Sequence, residues 1–271
     1  MTLMHNISKQ TAYTKVRMNI TGTDGIGKST FAAGAPNPIF ICSEDGLRYI
    51  SVDHFPVCET YSDIMQQIKT LSSEEHDFKT VVLDTTDAAE RLCQEQVKET
   101  HNIKTIEALG YGKGFTESYE LFCQILRGLE ALSAAKQMHV ILLSHVQIRT
   151  FSDPEHEPYD RYELNTHKKV ASYIRAWVDF NLFANHEFTT VKSGQGFNEK
   201  HRGKTFSDNR YLFTQRTAAF DAKSRLQLPR RIDLAWPSFI QECKTILKKG
   251  VGASEPVVNK NQSTKQGGQH V

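Results

Sequence analysis

Short apolar runs alternate with segments of helical periodicity along most of this chain. Four runs predict buried β-strands, at residues 16–21, 39–42, 80–83 and 139–143. The segments between them place apolar residues three or four positions apart, which predicts helices that bury one face. Strands that alternate with helices indicate an α/β fold, with a mostly parallel central sheet flanked by helices.

The helices follow from the same periodicity. They are predicted at residues 29–33, 61–71, 87–98, 116–135 and 168–177, with a last one around 239–247. The longest carries Leu121, Ile125, Leu129 and Leu132 on one stripe, which is typical of a helix packed against a sheet.

The second half of the chain is less regular. Residues 146–166 are polar, contain Pro154 and Pro158 and show no periodicity, so we expect a long loop there. Further strands are predicted at residues 179–184 and 218–223, and residues 188–215 between them are predicted to form a small β-hairpin insertion. The polar composition from residue 250 onward predicts a disordered basic tail. The expected organisation is an N-terminal segment (1–13), one domain (14–249) and the tail (250–271).

Charge is divided unevenly along the 271 residues. Residues 1–160 carry 14 Lys and Arg against 22 Asp and Glu, whereas residues 161–271 carry 19 against 9. A basic second half favours an anionic partner such as nucleic acid, and ordinary surface charge is the alternative. Because there is no long apolar run or signal-peptide core, and the five cysteines are scattered, we expect a cytoplasmic protein with no membrane partner.

One glycine-rich segment follows the first predicted strand and opens the first predicted helix. After Thr21 it reads Gly22, Thr23, Asp24, Gly25, Ile26, Gly27, Lys28, Ser29 and Thr30. The spacing fits the phosphate-binding loop, in which glycines bring backbone N–H groups close to phosphate oxygens. Lys28 would lie between the terminal phosphates, and the Ser29 hydroxyl would ligate Mg²⁺. The segment therefore predicts a nucleotide site lined by residues 22–30, at the positive end of a helix.

Polar residues end the next three predicted strands, at the sheet edge where parallel α/β proteins bind their ligands. Asp84 would hold Mg²⁺ directly or through water, unless Asp84 or Asp87 only caps the helix behind it. Glu44, favoured over Asp45 because it comes sooner after its strand, would orient or deprotonate an attacking water; an exposed loop acid is the alternative. His145 would contact the terminal phosphate, and a histidine satisfied by backbone groups is the alternative.

Lys223 and Arg225 form a second cationic feature, after a late predicted strand. Their spacing puts both side chains on one side of an extended segment. Such a pair can reach a phosphate, including one bound by a neighbouring subunit, whereas a solvated pair on an edge strand is the alternative.

In their order these features resemble the RecA-like ATPase core. More closely, the chain is similar to the phage-encoded RecA-like nucleotide-binding proteins of the single-strand annealing and recombination type. The shared segments are Gly-Tyr-Gly-Lys-Gly at 110–114, Ser-His at 144–145 and Lys-x-Arg-x-x-Leu-Pro at 223–229. The resemblance covers about residues 14–247 and implies a DNA-dependent ATPase that uses ATP and Mg²⁺. It implies catalytic roles for Lys28, Glu44, Asp84, His145, Lys223 and Arg225.

The resemblance also implies partners. It implies assembly on single-stranded DNA as a homo-oligomeric ring or filament in a bacterial host cytoplasm, with a single-strand-binding protein as a further partner. The DNA loops of the family follow strands three and four, which here points to Lys113, Arg149, Arg161, Lys168 and Lys169. These cations suit contacts to the DNA backbone, and the aromatic residues among them suit base stacking. Residues 154–157 are locally acidic, and Tyr111 packed in the core is the alternative to a stacking role.

Three functions stay open on the sequence. The first is an ATPase that helps single strands anneal or pair in recombination. The second is a helicase-like motor or helicase loader of phage replication, which would use the same core and would unwind a forked duplex. The third is a nucleotide-switched DNA-binding module with negligible turnover, for which Glu44 is the discriminating residue.

Overall fold

The computed structural model describes residues 15–155, 157–193 and 200–248. The predicted N-terminal segment and the predicted tail lie outside the described residues. Ten strands occur within these ranges: β1 (Arg17–Gly22), β2 (Pro38–Cys42), β3 (Asp53–His54), β4 (Thr80–Asp84), β5 (His139–Phe151), β6 (Tyr159–Leu164), β7 (Phe180–Ser193), β8 (Lys200–Phe213), β9 (Lys223–Ser224) and β10 (Arg231–Asp233).

Six α-helices connect or follow these strands within the same ranges. They are α1 (Lys28–Ala33), α2 (Tyr61–Ser73), α3 (Thr86–His101), α4 (Lys113–Lys136), α5 (Lys168–Trp177) and α6 (Trp236–Lys248). A short 3₁₀ turn, Ile106–Leu109, precedes α4. None of the helices in this described part is both long and apolar enough to cross a bilayer.

The strands form one mixed sheet in the order β10-β8-β7-β1-β5-β4-β2-β3. The six strands from β7 to β3 run parallel to their neighbours, while β8 and β10 pair antiparallel at one side. Helices lie on both faces, so the predicted α/β fold is confirmed. The carboxyl ends of β1, β2, β4 and β5 meet at one edge, and this edge positions the site described below.

The core lies on both faces of the sheet because successive strand residues point to opposite sides. In β4, Val81 and Leu83 pack in the cluster that includes α2 to α5, whereas Val82 belongs to the opposite cluster. That second cluster includes Phe31 of α1 and Phe239 of α6, whose rings pack edge-on at 6.4 Å. Burial on both faces explains why these strands read as continuous apolar runs.

The long loop predicted for residues 146–166 is wrong. Strand β5 continues past the sheet edge to Phe151, and β6 returns antiparallel beside it, with Val146 opposite Leu164 and Phe151 opposite Tyr159. Much of the added length of β5 faces solvent, including Ile148 at 64% exposure. The segment therefore forms a hairpin through backbone pairing, with little of the apolar alternation by which strands are predicted.

The β-hairpin predicted for residues 188–215 is confirmed, because β7 and β8 pair antiparallel in this region. The strand predicted at residues 218–223 is largely wrong, since only Lys223 and Ser224 join the sheet, in β9. Phe220 instead stacks on Phe183 at 4.3 Å between ring centroids. This ring stack and an isolated bridge to Tyr162, whose backbone N–H donates to the carbonyl oxygen of Ala219 at 2.7 Å, hold that segment without a continuous strand ladder.

Candidate nucleotide-binding site

The glycine-rich segment forms a tight loop between β1 and α1, at the carboxyl edge of the sheet. Two glycines are required by the geometry. A Cβ atom at Gly22 would lie 2.7 Å from the carbonyl oxygen of Ala184, and Gly27 has a φ of 106°, in the left-handed region that favours glycine. The loop therefore has the close approach and the turn that a phosphate cradle needs.

Lys28 is the first residue of α1 and is buried against the loop. Its Nζ donates hydrogen bonds to the carbonyl oxygens of Gly22 and Thr23, both at 3.0 Å. Burial lowers the pKa of the ammonium, although the acids Asp24 and Asp84 oppose this effect. The loop thus holds the ammonium by backbone carbonyls, over the turn where an anion would bind.

Ser29 and Asp84 bring two oxygen ligands together beside this lysine. The Ser29 hydroxyl donates to Asp84 Oδ2 at 2.8 Å. Burial raises the pKa of the Asp84 carboxyl, which is almost wholly removed from solvent. A hydroxyl and a carboxylate oxygen are the donors that Mg²⁺ prefers, so these residues fit that ion. The structure therefore places the two predicted metal ligands in contact.

His145 is the centre of a cluster of acidic side chains at the end of the parallel part of β5. Its Nδ1 lies 3.1 Å from Asp87 Oδ2, and its backbone N–H donates to Asp87 Oδ1 at 3.1 Å. Its Nε2 lies 3.2 Å from Asp24 Oδ1 and 3.8 Å from Glu44 Oε1. The hydrogen bond to Asp87 raises the pKa of His145. The imidazole thus connects the phosphate loop, the end of β2 and the start of α3.

Glu44 and Asp87 of this cluster have pKa values that are shifted in opposite directions. Burial raises the pKa of the half-buried Glu44 carboxyl. Burial would also raise the pKa of Asp87, but hydrogen bonds from His145 lower it below its usual value. Asp87 is therefore the anion that holds His145, while Glu44 is the stronger base of the two.

A chain of buried polar side chains lies beneath the loop, and the sequence analysis did not identify it as part of the site. The Thr86 and Ser144 hydroxyls lie 2.7 Å apart, and Ser144 donates to Asn19 Oδ1 at 2.7 Å. Asn19 in turn donates to Asn181 Oδ1 at 2.9 Å. These hydrogen bonds connect the start of α3 with β5, β1 and β7 below the site. The sequence marks this group of buried polar side chains only by a polar residue within an otherwise apolar strand, at Asn19 and at Asn181.

Arg210 is a further site residue that the sequence analysis did not identify. It lies on β8, and its Nη1 donates to the carbonyl oxygen of Ile26 in the phosphate loop at 3.2 Å. The contact joins residues 184 positions apart, so no local motif marks it. Arg210 adds a cation on the side of the loop opposite His145.

Lys223 and Arg225 lie away from this site within the same chain. Lys223 Nζ donates to the carbonyl oxygens of Arg175 and Val178, both at 2.8 Å, at the end of α5. Arg225 Nε lies 2.9 Å from Asp179 Oδ1, just before β7 begins. Strand β9 pairs with the first residues of β7, toward the sheet edge opposite the phosphate loop. The structure therefore does not bring this pair to the nucleotide site of its own chain.

Four of the five predicted DNA-binding cations lie on exposed surface near the starts of α4 and α5 and on the β5–β6 hairpin. They are Lys113, Arg149, Lys168 and Lys169. The two helix starts are joined by contacts: Phe115 stacks on His167 at 5.0 Å, and Lys169 Nζ donates to Thr116 Oγ1 at 2.9 Å. The pKa of His167 is lowered, chiefly by burial and also by the positive charges of Lys168, Lys169 and Arg149. Three of the cations therefore act on one ring. We call these four residues the cation cluster.

Arg161 is not part of the cation cluster. It is only 8% exposed, its Nη2 lies 2.5 Å from Asp221 Oδ1, and its guanidinium lies over the Phe151 ring at 4.9 Å. Tyr111, by contrast, is fully exposed in the turn before α4 and does not pack in the core.

A family model described as an AAA domain matches residues 14–226, most of the chain. The chain belongs to the AAA domain family. Membership supports the predicted ATPase with a phosphate loop and implies nucleotide binding. The matched range of the AAA domain includes the phosphate loop, Glu44, Asp84, His145 and the cation cluster. No curated protein matches the chain.

Proposed function

We propose that this AAA domain protein is an ATP-dependent, single-stranded-DNA-binding ATPase that helps strands anneal or pair in recombination. The observation that carries the proposal is a pair of connections between the candidate nucleotide site and the cation cluster, one through β5 and one through α3.

The nucleotide site supports ATP as substrate. The triphosphate would lie against residues 22–30, with Lys28 close to the terminal phosphates and Mg²⁺ held by Ser29 and Asp84. Bound Mg²⁺ would neutralise charge on the phosphate oxygens. Glu44 would orient water and accept its proton, and the raised pKa of its carboxyl strengthens it as a base. His145 would detect the terminal phosphate because its Nε2 faces Asp24 and Glu44.

The first connection is β5 itself. This one strand carries His145 at the nucleotide site and Arg149 four residues further along, in the hairpin. Backbone pairing with β1 extends along this strand to His145, and from Val146 to Phe151 the strand pairs with β6. A change in the contacts of His145 on loss of the terminal phosphate therefore reaches the hairpin directly.

The second connection is α3. Asp87 in its first turn holds His145, and Glu90 one turn later accepts the backbone N–H of His167 at 3.0 and 3.2 Å. His167 caps α5, whose first residues are Lys168 and Lys169. The same helix thus contacts the phosphate-sensing histidine and the helix start that carries two of the cations.

The cation cluster suits a single strand of nucleic acid. Its cations would contact phosphates, and the exposed ring of Tyr111 and the Phe115–His167 stack would contact bases. Single-stranded DNA is favoured over duplex because exposed rings need unstacked bases as partners.

Lys223 and Arg225 support a homo-oligomer. Neither can act on the nucleotide of its own chain, because both lie toward the opposite sheet edge. The Arg225 side chain remains 54% exposed while it is paired with Asp179, so its guanidinium is accessible to a neighbouring subunit. In this arrangement the pair would contact a phosphate across the subunit boundary, as an arginine finger does.

The DNA assignment is tested by measuring the affinity of the full chain for a fluorescent single-stranded oligonucleotide across a range of salt concentrations. We expect Arg149→Ala to weaken binding and to lower the dependence of log K on log salt by about 0.7, because one phosphate contact is lost. The Lys168→Ala, Lys169→Ala double variant should lower it by about twice as much.

Two matched variants serve as controls. Lys244→Ala removes an exposed cation of α6, outside the cluster, and should leave the salt dependence unchanged. Arg161→Ala should also leave it unchanged, but should lower thermal stability because Asp221 loses the nearer of its two cationic partners. Equal losses for Lys244→Ala and Arg149→Ala would contradict the assignment and indicate nonspecific charge.

A further inference from the structure

A second feature of the phosphate loop is an open pocket on its side opposite His145. The pocket has a volume of about 340 Å³ and is lined by Asn209, Arg210, Asp233 and Leu234. This volume falls within the roughly 300–1,000 Å³ that small-molecule sites occupy. It lies where β8 and β10 pair, next to the loop.

The pocket touches the phosphate loop directly. Arg210 donates to the carbonyl oxygen of Ile26, and a Cβ atom at Gly27 would lie 2.7 Å from Arg210 Nη1 and 3.5 Å from Leu234 Cδ2. The backbone N–H of Leu234 donates to the carbonyl oxygen of Arg210 at 2.9 Å, which holds Asp233 and Leu234 beside that arginine. A ligand that lies on the loop therefore borders the pocket.

The strand order determines which end of a nucleotide would face this pocket. Asp84, Glu44 and His145, the groups that would act on the terminal phosphate, follow β4, β2 and β5, all on one side of β1. Strands β7, β8 and β10 lie on the other side of β1. A triphosphate with its terminal group at His145 would therefore extend its other end, the nucleoside, toward β8 and β10.

The chemistry of the lining suits a nucleoside. The planar guanidinium of Arg210 can stack on a base, and one of its five N–H groups is used on Ile26. The exposed carboxylate of Asp233 can accept hydrogen bonds from ribose hydroxyls. Leu234 supplies the apolar surface that most small-molecule sites include.

We propose that this pocket binds the nucleoside part of the nucleotide, with Arg210 against the base and Asp233 on the ribose hydroxyls. The proposal rests on the proposed ATPase function, since it assumes phosphates on residues 22–30. It assigns specificity to two residues that lie far from the phosphate loop in sequence.

The test compares ADP with pyrophosphate, which lacks the nucleoside, by calorimetric titration of the full chain in the presence of Mg²⁺. We expect Asp233→Asn and Arg210→Ala each to weaken ADP binding about tenfold, while pyrophosphate affinity changes less than about twofold. The controls are Asp53→Asn, an exposed acid on β3, and Arg230→Ala, an exposed cation just before β10, and both should bind ADP normally.

The outcomes separate this proposal from the ATPase assignment. Equal weakening of ADP and pyrophosphate in Arg210→Ala and Asp233→Asn would show that these residues only brace the loop, and would overturn the nucleoside assignment. Unchanged ADP affinity in both variants would also overturn it. Lys28→Ala should weaken both ligands; if it weakens neither, the phosphate-loop assignment fails instead.

Discussion

His145 shows most clearly how single residues define this site. One imidazole contacts Asp87 of α3, Asp24 of the phosphate loop and Glu44 after β2. Because the hydrogen bond to Asp87 raises its pKa, the ring keeps a proton more readily than a free histidine and balances the surrounding acids. Its position explains how one side chain could report on a phosphate and on two loops at once.

Glu44 is the residue on which turnover depends in this account. We expect Glu44→Gln to lower kcat for ATP hydrolysis by about 10²–10⁴-fold, because the amide cannot accept the proton of water, while ATP affinity stays close to wild type. Steady-state hydrolysis and equilibrium binding measure the two effects. Asp45→Asn, one residue further along and paired with Arg48, is the matched control and should hydrolyse ATP normally. Wild-type hydrolysis by Glu44→Gln would show that Glu44 is not the base and would overturn its catalytic assignment.

Among the residues of the site, the sequence predicted those that directly follow a strand. It did not predict those that reach the site from elements far away in the chain. The sequence could pair Ser29 with Asp84, because Ser29 lies in the phosphate-loop motif and Asp84 follows the end of a predicted strand. Arg210 could not be predicted in this way, since its contact with the loop depends on how β8 returns beside β7. For the same reason the sequence did not show that Arg161 faces Asp221.

Among the elements, α3 connects the nucleotide site to the rest of the molecule. Glu90, buried in this helix, accepts the backbone N–H of His167 with both carboxylate oxygens. Burial raises the pKa of this carboxyl to about 7, from the usual 4.5 of a glutamic acid. The folded protein therefore holds the Glu90 proton more tightly than the unfolded chain between these two pH values, and the free energy of unfolding falls as pH rises through that range.

The variant Glu90→Gln tests this contact. We expect its free energy of unfolding to exceed that of wild type at pH 8 by on the order of 2 kcal/mol, since the buried charge is gone, and to match wild type near pH 5. Urea unfolding at both pH values measures the difference. Glu99→Gln, an exposed acid on the same helix, should show no such change with pH. A loss of stability in Glu90→Gln at pH 8 would mean that the carboxylate is needed on the His167 N–H.

The strands that the sequence predicted as apolar runs are those buried on both faces. Strands β2 and β4 read as apolar runs, and the stripe of α4 packs in the core as expected. The β5–β6 hairpin has no such signature because it projects from the sheet, and its pairing register comes from backbone bonds. Strand β10 was missed because three residues on a sheet edge carry little pattern.

For the whole molecule, the placement of Lys223 and Arg225 away from the phosphate loop argues for action between subunits. A mixing experiment tests this. Arg225→Ala and Lys28→Ala should each hydrolyse ATP poorly alone, whereas their mixture should recover activity, because intact loops meet intact arginines at some boundaries. Mixing Lys28→Ala with wild type measures the effect of dilution alone. No recovery, with both variants folded, would contradict action across a boundary.

The measurement that tests the central claim most directly is steady-state ATP hydrolysis by the full chain without DNA, with single-stranded DNA and with duplex, at low and moderate salt. The two connections from the nucleotide site to the cation cluster predict stimulation by single strands, little by duplex, and a stimulation that fades as salt rises. Hydrolysis that is indifferent to any nucleic acid would contradict the account, leaving an ATPase whose cation cluster serves another partner.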